Sequence, residues 1–280
     1  MMIKLDKKDY INVINLTKDL GKNCTFGYGV LLNDMPGRVF VDNISNPQSC
    51  FIACDGGKYM VVGNEGNEEF NTALVDYLKQ EKNHKIYYDF YASSEKWIEL
   101  LSKSLEGHSI PLPRTIYAYR EGEGPVYSKL YSELEDGYEL KQMDENLFNE
   151  LVTKIDSTYL NQWGSAAAFV EKGLGYCVLH EGKIACICYC VVAGGGYAEL
   201  SIYTMEKYRN RKFALITCSA FIEECIKRNL TTIWNAGSDN KPSNKLALKL
   251  GFSKVMDSKL VFWHENHDII QGYIDGKNFM

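Results

Sequence analysis

The feature that most constrains the fold is a cationic segment between a strand-like run and a helix-like run. In residues 208–214, three cations, Arg209, Arg211 and Lys212, stand within four positions. Residues 198–204 before it alternate as in a strand, and the apolar residues after it recur at helical spacing. A helix start leaves backbone N–H groups unpaired and carries about half a positive charge, so nearby cations strengthen an anion-attracting field. This pattern predicts a pyrophosphate site.

A second strand and a short capped helix follow. Residues 231–235 are β-like, and Asn240 then precedes a helical run with Pro242 in its first turn. Gly251 stands just past the last turn, where a helix commonly ends. The predicted order is therefore strand, cationic helix start, strand, short capped helix.

This order and these residues resemble the GNAT superfamily of acyl-CoA-dependent N-acyltransferases. In that family an Arg/Gln-x-x-Gly-x-Gly/Ala loop opens the helix that binds the pyrophosphate of coenzyme A, and a later Asn begins a short helix that closes on Gly-Phe. Arg209 and Ala214 match the ends of the first motif, and Asn240 with Gly251 and Phe252 matches the second. The resemblance implies a GNAT fold, an acetyltransferase activity and acetyl-CoA as cosubstrate.

Within the superfamily the chain looks most like the bacterial branch that includes the zwittermicin-resistance acetyltransferase. The residues that carry this likeness are 199–204 before the cationic segment, and Ser243 with Leu246 and Ala247 before the closing Gly-Phe. The likeness covers residues 138–263.

Two positions depart from the family pattern. Lys212 stands where the central Gly lets the backbone approach the phosphate, so its side chain either crowds that approach or replaces it with a charged contact. We favour the charged contact, because the flanking motifs are kept. Ala247 stands where many members place a Tyr that protonates the departing thiolate, and the resembling branch commonly has Ala there.

The fold predicted for residues 131–280 is a mixed, largely antiparallel sheet flanked by helices, of the α/β (α+β) class. The chain of 280 residues exceeds a typical single domain, and the acidic, Gly-rich residues 120–137 have linker composition. We therefore predict a separate α/β domain over residues 1–130, a degenerate GNAT-like unit. Its loop at residues 63–69 contains three carboxylates, which would repel a pyrophosphate. We therefore assign the N-terminal domain to the substrate cleft or to homodimer formation and not to coenzyme A binding.

Glu199 is the predicted general base. An alkylammonium has a pKa near ~10, so a carboxylate that removes its proton, directly or through water, assists acetyl transfer at neutral pH. Strand alternation places Glu199, Ser201 and Tyr203 on one face of the strand. The alternative is that Glu199 is a carboxylate on an exposed strand face or in a salt bridge.

The resemblance implies that the backbone of residues 202–204 binds the pantetheine arm like an added strand. Asn240 and Ser243 would face the arm or the sulfur, although as helix-capping residues they need no ligand to explain them. Tyr203 or Ser243 could protonate the thiolate, or it could leave unassisted. The predicted coenzyme A contacts are Ile202, Tyr203, Thr204, Arg209, Asn210, Arg211, Lys212, Phe213, Ala214, Asn240 and Ser243.

The principal hypothesis is an acetyl-CoA-dependent N-acetyltransferase acting on a primary amine of a small molecule. The alternative is a non-catalytic acyl-CoA-binding or regulatory protein, which Lys212 and Ala247 would fit. A third hypothesis, an aminoacyl transferase of the tandem GNAT type that uses aminoacyl-tRNA, is disfavoured because the net charge of −5 and the absence of a basic stripe argue against a nucleic-acid partner.

Cysteine spacing and hydropathy exclude further classes. Cys186, Cys188 and Cys190 alternate along a strand, which puts them on one face and not around a metal, so no metal is expected and the nine cysteines read as reduced thiols. The longest apolar run, residues 184–193, is about half the ~20 residues that cross a bilayer. We therefore expect a cytoplasmic protein without a membrane partner.

Overall fold

The computed structural model describes residues 1–83, 86–119 and 128–276. The linker-like residues 120–125 lie outside this part of the chain. The described residues form two compact units, one of Met1–Arg114 with Ser258–Met280 and one of Thr115–Asp257. This division differs from the expected boundary at residues 130/131, because the end of the last strand pairs antiparallel with a strand of the first unit, from Leu260 opposite Tyr91 to His264 opposite Tyr87.

The first unit is a mixed sheet with helices. Its strands pair in the order β1-β2-β3-β4-β5-β12, and only the β4–β5 pair among them is parallel. Phe51, Tyr88 and Trp97 are fully buried in its core. Its elements, apart from 3₁₀ segments, are β1 (Ile3–Lys4), α1 (Thr25–Leu31), β2 (Gly37–Val41), β3 (Ser49–Cys54), β4 (Lys58–Gly63), α2 (Glu68–Leu78), β5 (Tyr87–Ala92), α3 (Glu95–Ser104) and α10 (His267–Ile274). Strands β6 (Ser109–Tyr119) and β12 (Phe252–His264) contain the boundaries between the units.

The second unit is built on the strand order β6-β11-β10-β9-β8-β7. The four strands from β10 to β7 are antiparallel to one another, and β10 is parallel to β11. Helix α8 packs against β8, β9, β10 and β11, whereas α5, α6 and α7 pack together and α6 contacts β9. Its elements are α4 (Ser128–Tyr131), β7 (Tyr138–Gln142), α5 (Glu145–Lys154), α6 (Thr158–Trp163), α7 (Ala166–Lys172), β8 (Gly175–His180), β9 (Lys183–Gly194), β10 (Tyr197–Thr204), α8 (Phe213–Lys227), β11 (Thr231–Gly237) and α9 (Lys241–Lys249).

The predicted fold class, a mixed α/β fold with a mostly antiparallel sheet flanked by helices, is confirmed. The local reasons are those read from the sequence: β9 is an almost continuously buried apolar strand, and α8 is buried along most of its length. All eight cysteines whose side chains the structure describes are buried free thiols. Within the described residues, no helix has the length and hydropathy required to span a bilayer.

Candidate active site

The centre of the candidate site is a separation between two neighbouring strands. β10 and β11 pair over three residues only, from Tyr197 opposite Thr231 to Glu199 opposite Ile233. Both strands continue beyond this point, β10 to Thr204 and β11 to Gly237. The facing backbone edges beyond Glu199 are therefore not joined to each other by the sheet, and such edges bind an extended ligand by strand addition.

An irregularity in β9 accompanies this separation. Glu199 pairs with Val192 and Leu200 pairs with Cys190, so Val191 is an extra residue in β9. A β-bulge of this kind bends its strand and increases the local twist. Because it lies opposite Glu199, it changes the course of the sheet at the place where β10 and β11 part.

The cationic segment forms a sharp loop that ends at the start of α8. Asn210 and Lys212 both adopt left-handed backbone conformations, with φ of 64° and 62°. Gly tolerates this conformation at no cost, whereas another residue loses roughly 1–2 kcal/mol. Position 212 therefore has the left-handed backbone conformation that favours Gly, the residue of the family pattern at this position, although this chain has Lys there.

The N-terminus of α8 has no side-chain cap. Lys212 is the N-cap residue and makes no capping hydrogen bond, whereas α2, α3, α5, α7, α9 and α10 are each capped by an Asn, Ser or Asp side chain. The first N–H bonded within the helix is that of Ile216, which donates to Lys212 O at 3.1 Å. The N–H groups of Phe213, Ala214 and Leu215 therefore point out of the helix end, where an anion binds best.

The three cations of the loop differ in their surroundings. Arg211 donates to both carboxylate oxygens of Glu135 and to the hydroxyl of Tyr138, and Lys212 Nζ donates to Glu133 Oε2 at 2.7 Å. The Arg211 guanidinium holds the pKa of Glu135 below its usual range through this hydrogen bond. Arg209 is exposed, and its guanidinium has no ion-pair partner among the described residues.

The two faces of β10 carry different chemistry. Thr204 lies opposite Cys186, whose Sγ is 3.2 Å from Thr204 Oγ1 and 3.4 Å from Thr217 Oγ1 of α8. That face is covered by α8. Alternation places Glu199, which is half-buried, with Ser201 and Tyr203 on the other face.

Sequence reasoning missed two tyrosines on this second face. Tyr189 of β9 is buried and lies opposite Ser201 of β10, and its ring centre is 4.7 Å from that of Tyr159 of α6. Burial raises the pKa of Tyr189 to about 12, so its hydroxyl stays protonated at neutral pH. Among 19 tyrosines no local signal distinguished this pair, because only the β9–β10 register brings Tyr189 beside Ser201.

Asn240 and Ser243 lie at the start of α9, directly after β11. Asn240 Oδ1 accepts the N–H of Ser243 at 3.1 Å, which is a helix cap. Ser243 Oγ also accepts from Trp234 Nε1 of β11 at 3.0 Å, so its own hydroxyl proton remains available for donation. Ala247, four residues after Ser243, is fully buried.

The predicted site residues thus lie on the elements that flank the strand separation: β10, the loop and first turn of α8, and the start of α9. Within the described residues, no three His, Cys, Asp or Glu side chains are grouped so that they could hold a metal ion. A separated pair of parallel strands, followed by an uncapped helix start with a cationic loop, is an arrangement for an extended ligand that ends in phosphates.

The sequence matches a family of acetyltransferases. A family model described as GNAT acetyltransferase matches residues 18–260, and the chain belongs to that family. It is 29% identical over 260 residues to the uncharacterized N-acetyltransferase YdfB of Bacillus subtilis (strain 168), a match that covers 92% of this chain and 97% of that relative. The chain is therefore a GNAT-family N-acetyltransferase, and acetyl-CoA is the cosubstrate that this family uses.

Solved structures share the fold over nearly the whole chain. A GCN5-related N-acetyltransferase-like protein from Streptococcus suis 89/1591 matches with a TM-score of 0.74 at 20% identity, covering 92% of this chain and 99% of that one. A tandem GNAT protein from the clavulanic acid biosynthesis pathway matches with a TM-score of 0.60 at 12% identity, covering 95% and 98%. At these identities the likeness shows the fold alone.

Proposed function

We propose that the protein transfers the acetyl group of acetyl-CoA to a primary amine of a small molecule, at the separation between β10 and β11. The observation that carries this proposal is the end of β10–β11 pairing after Glu199, directly before the uncapped start of α8. It supplies two facing backbone edges that do not pair with each other, for the pantetheine arm, and the N–H groups of a helix start, for the phosphates.

In this proposal the backbone of Ile202, Tyr203 and Thr204 binds the pantetheine arm as an added strand. The pyrophosphate lies on the first turn of α8, with Arg209 as the cation whose side chain is not already paired within the described residues. Lys212 is already paired with Glu133, so a contact from its ammonium to phosphate would share or replace that ion pair.

The reaction forms one C–N bond and breaks one C–S bond. Glu199, on the half-buried strand position where pairing ends, takes a proton from the ammonium through water, and the neutral amine attacks the thioester carbonyl. The attacking nitrogen then gives up its second proton as the C–S bond breaks, and the leaving thiolate takes up a proton, so that the transfer releases one proton in all. Ser243 can donate the proton that the thiolate takes up, because its oxygen accepts a hydrogen bond from Trp234 Nε1 and its own hydroxyl hydrogen takes no part in that bond. Tyr203 is the other candidate donor. The methyl side chain of Ala247 has no proton to donate.

The acceptor amine would bind on the face of β10 opposite α8. There Ser201, Tyr189 and Tyr159 provide hydroxyl groups beside the strand that carries Glu199. Neutral hydroxyls suit a polar amine such as an amino sugar or an aminoacyl-type compound. The likeness to the zwittermicin-resistance branch supports such an acceptor. A cytoplasmic location, a homodimer and the lack of nucleic-acid or membrane partners stay predictions from the sequence.

A binding measurement and a turnover screen test the proposal. Coenzyme A should bind at one equivalent per chain in calorimetry and raise the melting temperature, since a ligand at a hundredfold excess over Kd stabilises the folded state by about 2.7 kcal/mol. Release of coenzyme A from acetyl-CoA should then depend on the amine supplied. Silence in both binding assays at millimolar coenzyme A would refute the proposal.

Binding without turnover on any amine would favour the alternative, an acyl-CoA-binding protein without catalysis. The specific observation in its favour is the fully buried Ala247 at the position of the usual phenol. Measuring the burst of coenzyme A release in a single turnover distinguishes a slow enzyme from an inactive one, because the slow enzyme still releases one equivalent.

A further inference from the structure

Two carboxylates of the second unit bind the two loop cations nearest to α8. Glu133 and Glu135 lie between α4 and β7, and we name residues 133–135 the acidic turn. Arg211 Nε donates to Glu135 Oε1 at 3.3 Å while Nη2 donates to Oε2, which makes the pair bidentate. Lys212 Nζ donates to Glu133 Oε2. Arg211 and Lys212 are thus each paired with one carboxylate.

Arg211 is held on more than one side. Its third nitrogen, Nη1, donates to the hydroxyl of Tyr138, so all three guanidinium nitrogens have a partner within the unit. The guanidinium carbon lies 4.6 Å from the ring centre of Tyr138 and 5.2 Å from that of Phe213, at distances where a cation is attracted to an aromatic face. The two rings pack on each other at 4.7 Å. A bidentate, ring-enclosed guanidinium is a structural group more than a free phosphate ligand.

The ion pair between Arg211 and Glu135 also restrains the backbone of the loop. Arg211 stands between Asn210 and Lys212, the two residues with left-handed backbone. Such conformations persist only where the surrounding structure holds them. Fixing the side chain in the middle, and the Lys212 side chain beside it, holds the turn that aims the first N–H groups of α8.

We propose that Glu135 and Glu133 are positioning residues of the coenzyme A site: they bind Arg211 and Lys212, and so keep the loop in the conformation that presents the α8 backbone to the phosphates. The inference rests on the proposed function. Arg211 then acts through the acidic turn and not by touching phosphate. The opposite arrangement, in which the carboxylates compete with coenzyme A for the cations, predicts the opposite sign for their removal.

The test is the affinity for coenzyme A, measured by calorimetry for Glu135→Gln, Arg211→Gln and the double variant. We expect each single variant to raise Kd roughly three- to tenfold, and the double variant to raise it no further, because coupled residues lose one shared interaction. Glu133→Gln should raise Kd less, since Lys212 makes a single contact. Glu150→Gln, which breaks the Glu150–Lys154 pair of α5, is the charge-matched control and should not change Kd.

A merely structural loss would not produce the same kinetic signature. Glu135 is about half exposed, so its variant should fold with an unchanged melting temperature in the absence of ligand. With acetyl-CoA as the varied substrate, KM should rise in parallel with Kd while kcat at saturation changes less than twofold.

The outcomes separate this inference from the proposed function. Absence of coenzyme A binding by the wild-type chain would overturn both. Wild-type binding together with an unchanged or tighter Glu135→Gln variant would overturn the positioning role alone, and additive losses in the double variant would show that Arg211 contacts phosphate directly. Equal, non-additive losses confined to KM support the positioning role.

Discussion

The two units contain the same order of strands and helices, but only in the second unit do the two parallel strands separate. In the first unit, β2, β3, β4, α2, β5 and α3 follow one another as β8, β9, β10, α8, β11 and α9 do in the second. In the first unit the parallel strands stay joined: β4 pairs with β5 from Lys58 opposite Asp89 to Val61 opposite Ala92, and Ser93 N–H donates to Val61 O beyond them. In the second unit the equivalent strands part after three pairs. A shared order of elements therefore does not by itself make a cleft.

The helix after the first of these two parallel strands, α2 in the first unit and α8 in the second, also differs, because only α2 has a side-chain cap at its N-terminus. The N-terminus of α2 is capped by Asn67, whose Oδ1 accepts the N–H of Phe70, and whose Nδ2 donates to Asp42. The preceding loop carries Glu65, which accepts from Ser94 and pairs with Lys96. Where α8 leaves its first N–H groups without a cap, α2 has satisfied one internally and surrounds its start with carboxylates. This supports the prediction that the first unit does not bind coenzyme A.

The largest effect should come from the base. Glu199→Gln keeps the side-chain shape but removes the proton acceptor, so kcat should fall by roughly 10²- to 10⁴-fold with little change in coenzyme A affinity. The control is Glu150→Gln in α5, which removes a carboxylate that pairs with Lys154 and should leave kcat unchanged. Glu199 would lose its assigned role if the variant kept the wild-type rates from pH 6 to pH 9.

A second effect concerns the buried thiols of the two units. Burial raises the pKa of Cys54 in the first unit to about 11, and of Cys186 and Cys225 in the second to about 12. A thiolate is the reactive form, so alkylation at pH 8 should be slower than for an exposed thiol by roughly a hundredfold or more. Mass spectrometry of a Cys24→Ser variant measures this at each position.

Acetyl-CoA sharpens the comparison, because a ligand stabilises the unit that it contacts against local opening. Labelling of Cys186, which lies in β9 opposite Thr204 of β10, should slow further when acetyl-CoA is added, while labelling of Cys54 stays the same. Equal slowing at both would mean that the two units open together.

The raised pKa values of these thiols also predict how the free energy of unfolding depends on pH. Their contribution is retained up to the usual thiol pKa and is lost as the pH rises through about 11 to 12.

The smallest of the three effects should come from Arg209, the loop cation for which the described residues supply no ion-pair partner. Arg209→Ala should weaken coenzyme A roughly tenfold at low salt, because a charge-assisted contact to phosphate is lost, and the difference should shrink as salt rises. Pantetheine, which has no phosphate, should bind equally to both proteins. The control is Lys227→Ala at the far end of α8. Equal weakening of pantetheine binding would show that Arg209 acts through folding. Adding Arg211→Ala to Arg209→Ala should reduce the affinity for coenzyme A further, because the loop then loses its ion pair with Glu135.

Much of the site followed from local sequence. The start of α8 after the cationic segment, the Asn240 cap of α9 and the alternation of Cys186, Cys188 and Cys190 are signals within about four residues, and the structure contains each of them. Such signals act over one helical turn or one strand repeat, where propensity and capping are decided. The fold class followed from their order.

What only the tertiary structure decided were the pairings between distant residues. Arg211 and Glu135 are separated by 76 residues and Lys212 and Glu133 by 79. The sequence therefore indicated three equivalent cations, whereas in the structure Arg211 and Lys212 are paired with carboxylates and Arg209 has no ion-pair partner among the described residues. The parting of β10 from β11, the approach of Tyr189 to Ser201 and the return of the last strand to the first unit likewise depend on strand register. Register is set by how whole faces of strands bury against helices, and no short stretch of sequence contains that information.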